Sequence, residues 1–186
     1  FIEVTHRSPF QEFSRVTLCI NMEEALLCQV FAGSLHAERT IRDAAEAHLI
    51  AMSSSDALLP LVLLRFCASP TTESQVAASG VSSPSSVKLA AAVRLRNIIG
   101  KSNWKHSKFP DSLKQQFKNE IVSLSCGLHI DEAIRRQLAA TMEAIVSYDY
   151  PLQWPSLIPE LQVTIGGAIT ALREQRMEAS ITLAAA

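Results

Sequence analysis

Asp149-Tyr-Pro-Leu-Gln-Trp-Pro-Ser-Leu-Ile-Pro-Glu-Leu161 places three prolines and one of two tryptophans in thirteen residues, while apolar residues at helical spacing flank it on both sides. A residue before proline is pushed out of the helical region, so Tyr150-Pro151 ends the helix that reaches Asp149. Pro155 suits the first position of a following helix, where no N–H is needed, and Pro159, roughly one turn later, is expected to bend that helix. The stretch therefore reads as a boundary between two structural units.

Working outward, periodicity near 3.6 residues dominates from Met22 onward. Apolar stripes run through Ile41, Ala45, His48, Leu49 and Met52, through Val87, Ala91, Leu95, Ile98 and Ile99, and through Ile134, Leu138, Met142 and Ile145. Each of these helices opens on an aliphatic residue followed by a base: Ile41-Arg42, Val87-Lys88 and Ile134-Arg135. The spacings are 46 and 47 residues, at the upper end of the period of armadillo and HEAT helix pairs. A partner helix precedes each one, around Leu26 to Phe31, Leu58 to Phe66, and Leu113 to Leu124. One such pair cannot cover its own apolar face, so neighbours must stack, and the expected fold is an all-α, curved α-solenoid.

Helix ends agree with this division. Ser83 offers a capping oxygen ahead of Pro84, Phe109-Pro110-Asp111 opens the third partner helix similarly, and Pro60 lies near a helix start. Gly33, Gly100 and Gly127 stand where helices should stop, with the left-handed cap conformation as the expected reason. Residues 69–84 are rich in Ser, Thr, Pro and Gly and lack an apolar period, so a mobile surface loop is expected there, with Ser69-Pro70 and Ser83-Pro84 as phosphate-accepting candidates.

Composition bounds the function. The 186 residues are about half apolar, enough for a real core in one or two domains. Seventeen Lys and Arg against eighteen Asp and Glu leave no broad basic surface, which argues against nucleic acid as a partner. Cys19, Cys28, Cys67 and Cys126 are scattered among apolar neighbours and read as small buried hydrophobes of a reducing compartment, not disulfides or metal ligands. The longest apolar run, Leu58 to Leu64, is far below the roughly 20 residues of a membrane span, so a soluble intracellular protein with no membrane partner is expected. Residues 1–21 show no signal-peptide core and are expected to form a weakly structured extension. No nucleophile, base, metal set or phosphate-cradling glycine loop stands out, so neither an enzyme nor a cofactor is expected.

Four ordered segments carry a family resemblance: Ile41-Arg-Asp-Ala-Ala-Glu-Ala-His-Leu49, Ala90-Ala-Ala-Val-Arg-Leu-Arg-Asn-Ile-Ile-Gly-Lys-Ser-Asn-Trp104, Ile134-Arg-Arg-Gln-Leu138 and Asp149-Tyr-Pro-Leu-Gln-Trp-Pro155. Together, over residues 22–173, they resemble the amino-terminal domain of the importin-β superfamily of nuclear transport receptors. The resemblance implies a right-handed solenoid of about three to four HEAT-type antiparallel helix pairs. It also implies inner helices that bind the small GTPase Ran in its GTP form, and shuttling between nucleus and cytoplasm as an importin or an exportin. Where the family usually reads Leu-Lys-Asn, this chain has Leu95-Arg96-Asn97, a point ammonium replaced by a planar fork. From Glu174 to Ala186 the likeness stops, so 174–186 reads as a divergent tail of a fragment. The repeats that in the family hold cargo proteins and Phe-Gly nucleoporins would be mostly absent.

The candidate contacts to Ran-GTP are Arg96, Asn97, Arg136 and Glu143, polar positions on inner helices outside the apolar stripes. Arg42, Lys88 and Arg135 recur at one repeat position and are expected to pair with neighbouring repeats. Trp104 and Trp154 are expected to plug junctions between stacked units. The competing reading is an α-solenoid scaffold or adaptor whose protein partner shows no nucleotide dependence.

Overall fold

The periodic segments form seven α-helices and no strand among the described residues of the computed structural model, which describes residues 24–55, 57–69, 83–100, 104, 109, 111–127 and 129–184. The expected extension 1–21, Cys19, Pro110 and most of the loop 69–84 lie outside the described residues. The helices are α1 (24–34), α2 (Arg39–Ser55), α3 (Leu59–Ala68), α4 (Pro84–Ile99), α5 (Asp111–Ser125), α6 (Glu132–Asp149) and α7 (Leu157–Ala184). This all-helical architecture is compatible with an α-solenoid. No described helix is long and apolar enough to cross a membrane.

The chain divides into two compact units, residues 1–54 with 70–87, and residues 55–69 with 88–186. In the first, α1 buries Leu27, Cys28, Phe31 and Ala32. Its approach to α2 is close: a Cβ on Gly33 would stand 3.2 Å from the Cβ of Ala45. Glycine at position 33 therefore serves packing, not a left-handed cap, and Gly100 and Gly127 likewise keep φ out of the left-handed region although they stand at helix ends. The expected α2 stripe is covered only at Leu49; Ile41 and His48 are exposed because the contact with α1 is made by the small Ala45, which leaves larger neighbours at its rim.

In the second unit α3 is apolar nearly all round and buried nearly all round, through Leu59, Pro60, Leu61, Leu63, Leu64, Phe66 and Cys67. Pro60 sits in its first turn. Helix α5 packs against α6, and also against α3 and α7, so the first helices of successive pairs lie side by side. Arg65 of α3 forks onto Glu120 of α5 at 3.0 and 2.7 Å. The α6 core face is Ile134, Leu138, Thr141 and Ile145; Thr141 takes the place expected for Met142 because its hydroxyl is satisfied by donating to the Gln137 carbonyl at 2.8 Å.

Caps follow ordinary chemistry. The Ser83 hydroxyl accepts from the Ser85 N–H at 3.2 Å, one residue past Pro84, and the Asp131 carboxylate accepts from the Ala133 N–H at 2.8 Å. Helix α7 starts at Leu157, two residues beyond Pro155. Pro159 thus falls in its first turn, where the missing N–H belongs to the orphan donors anyway, and not a full turn inside the helix where a bend was expected.

Cys28 and Cys67 are buried, as expected, whereas Cys126 is only half-buried. Burial pushes the Cys67 thiol up to about 12 from 9.0, and its Sγ lies 3.8 Å from the Lys88 carbonyl oxygen. A thiol whose folded pKa exceeds its unfolded value contributes fully below about pH 9, and that contribution is lost as pH rises toward 12. The stability advantage of the wild-type chain over Cys67→Ala should therefore shrink by about 2 kcal/mol between pH 8 and pH 11 in paired denaturant melts.

Candidate protein-binding face and the node behind it

The boundary after α6 is built around one residue. Tyr150 turns extended (φ −85°, ψ 139°), as proline at the next position requires, and its N–H still donates to the Val146 carbonyl at 3.1 Å. The chain then curls back, so the N–H groups of Gln153 and Trp154 both donate to the Asp149 carbonyl, at 2.7 and 3.0 Å. The Asp149 carboxylate points inward, 6% exposed, and meets the Lys118 ammonium of α5, 5% exposed, at 2.6 Å. The same carboxylate oxygen accepts from the Trp104 indole N–H at 3.0 Å, and Lys118 also donates to the Gln153 carbonyl at 2.9 Å.

Aromatic rings enclose the pair. Trp104 packs on Phe109 and Phe117 with centroids 6.1 and 5.8 Å away, and the Lys118 ammonium lies 5.4 Å from the Trp154 ring centroid. Trp154 is fully buried and donates its indole N–H to Glu160 in the first turn of α7 at 3.2 Å. Both tryptophans are therefore interior junction residues. Asp-Tyr-Pro-x-x-Trp-Pro is a fold-holding motif whose Asp149 and Trp154 side chains are bonded internally, and Lys118 is the member that periodicity could not supply.

The basic positions that recur along the sequence act within their own helix pairs. The Arg42 guanidinium of α2 donates to the His36 and Ala37 carbonyls just after α1, at 2.9 and 2.6 Å. Lys88 of α4 donates to the Ser69 carbonyl that ends α3. Arg135 of α6 lies near Cys126 at the end of α5, where its charge opposes the rise that burial imposes on that thiol. All three of these second-helix cations thus lie by the segment that ends or follows the first helix of their own pair.

The four candidate contact residues are all exposed. Arg96 of α4 donates to Gln137 of α6 at 3.2 Å, which sets the two helices' polar faces side by side. Arg136 is next to Gln137 and pairs with Glu132 at 2.6 Å across one turn, both well exposed. Glu143 lies seven residues on, on the same helix face as Arg136, and has no ion-pair partner among the described residues. Asn97 adjoins Arg96. Arg96, Arg136, Glu132 and Glu143 give this face both signs of charge, suited to a partner surface of complementary pattern. At the end of α6, Tyr148, Tyr150 and Leu152 stand 42%, 45% and 91% exposed and offer apolar anchors that the periodicity reading did not single out.

Comparison with known proteins gives one directed finding. A stretch of 79 residues, 40% of this chain, is 34% identical to exportin-2 of Drosophila melanogaster, and it spans 8% of that protein's length. No family model matches the chain, and no solved structure matches it.

Lys118→Met strands the Asp149 carboxylate in the core and should cost about 3 to 5 kcal/mol in denaturant unfolding, whereas Glu143→Ala should stay within about 0.5 kcal/mol of wild type.

Proposed function

We propose that this chain is an amino-terminal segment of a nuclear transport receptor of the importin-β superfamily, folded as a right-handed solenoid of HEAT-type helix pairs. The observation that carries the reading is the partial identity with exportin-2, joined by a stacked-helix architecture compatible with it. On this reading, α4 and α6 are inner helices. Their exposed residues Arg96, Asn97, Arg136 and Glu143 contact Ran in its GTP form, with the paired arginines meeting acidic side chains of the GTPase. The chain works by binding, not by catalysis. Cargo proteins and Phe-Gly nucleoporins engage the full receptor mostly through repeats beyond these, as it passes between nucleus and cytoplasm.

Immobilised Ran loaded with a non-hydrolysable GTP analogue should retain the purified chain at least about tenfold better than Ran loaded with GDP. Arg96→Glu combined with Arg136→Glu should remove most of that retention while leaving the melting temperature near wild type, because both side chains are exposed. Equal retention on the two nucleotide forms would overturn the Ran assignment and favour a scaffold whose partner is indifferent to nucleotide.

A further inference from the structure

Helix α7 differs from every other described helix: it runs 28 residues without a break, and its interior holds the adjacent pair Gly166-Gly167. Glycine inside a helix is justified when another chain segment approaches closely, as at Gly33. At Gly166 and Gly167 an added Cβ would meet nothing within 4 Å. The weakest helix-forming point of α7 therefore has no packing reason where it stands.

Two further observations fall on the same point. The Thr170 hydroxyl donates to the Gly166 carbonyl at 3.0 Å, competing with the backbone N–H that should use that oxygen. Packing also changes there. Before the glycines, Leu157 is buried and α7 lies against α5; after them, every described side chain from Ile169 to Glu178 is exposed.

Apolar side chains on both halves match across the break. Ile158 and Ile165 precede it and Ile169 and Leu172 follow it, each between 43% and 46% exposed, and their spacing puts all four on one narrow stripe of the straight helix. A stripe of this kind, cut at a two-residue glycine turn, covers itself when the halves fold antiparallel. Ile165 would then face Ala168 and Ile169, and Leu161 would face Leu172. Two residues suffice to connect antiparallel helices.

We propose that Gly166-Gly167 is a hinge, and that α7 exchanges between the extended helix and a helical hairpin in which residues 168–184 fold back over the apolar flank of residues 157–165. The occupant of the exposed stripe is thus the second half of the same helix. The closed form repeats the two-helix arrangement that α5 and α6 already adopt. The hinge is independent of which partner binds α4 and α6.

Spin labels at Pro159→Cys and Arg176→Cys test this in the full chain, with Cys19 and Cys126 replaced by serine; Cys28 and Cys67, at 1% and 2% exposure, are shielded from the reagent. Helix geometry puts the labelled backbone positions roughly 26 Å apart in the extended form and roughly 10 Å apart in the hairpin. The expected result is two populations at these separations, and Gly166→Ala with Gly167→Ala should shift their ratio more than about tenfold toward the long one. A single long-distance population that the alanines leave unchanged overturns the hinge. So does a short distance that disappears when labelled chains are diluted into unlabelled ones, since a second copy would then be covering the stripe.

Discussion

A buried lysine held against a buried aspartate is tolerable only when both ions have their remaining hydrogen-bonding capacity used. Lys118 and Asp149 go far toward that condition by recruiting the Trp104 indole and the Gln153 carbonyl. The requirement ties together three places distant in sequence: Trp104 between α4 and α5, the buried side of α5, and the turn from α6 into α7. It also accounts for the residue types in the boundary motif. Proline forces Tyr150 extended, the turn returns two N–H groups to the Asp149 carbonyl, and Trp154 closes the far side with its bond to Glu160.

Much of this is legible in the sequence. The α4 stripe Val87, Ala91, Leu95 and Ile99 is buried as its period indicates, and the Ser83 and Pro60 helix starts follow from local chemistry that needs no tertiary context. Misreadings arose where a tertiary partner decides. Lys118 belongs to no apolar stripe, and nothing nearby in sequence reveals the aspartate 31 positions on that meets it. Thr141 displaced Met142 from the α6 core face because its hydroxyl finds a backbone acceptor one turn away. Pro159 was placed a turn too deep because two turn residues, Pro155 and Ser156, precede the helix.

The candidate interaction face was legible as polar positions off the apolar stripes, but its grouping was not. The Arg96–Gln137 bond that joins α4 to α6 depends on how the two helices lie beside each other. The recurring Arg42, Lys88 and Arg135 are expected to pair within the scaffold, and Arg42 and Lys88 do bond carbonyls in or at the start of the segment after the preceding helix, while Arg135 lies beside Cys126. Arg42 and Lys88 therefore serve local structure, while the non-recurring Arg96, Arg136 and Glu143 stand exposed. This division of labour makes the functional reading specific: the family-like motif holds the scaffold, and less distinctive surface residues are proposed to carry recognition.

The Asp149 node is expected to be as stable as the unit it holds. The most direct measurement is hydrogen–deuterium exchange at the Trp104 indole N–H, followed by NMR. Its bond to a buried carboxylate predicts exchange only through opening of the whole unit, as slow as the most protected α5 and α6 backbone amides. Exchange at the rate of a solvent-exposed indole, while those amides stay protected, would contradict the account.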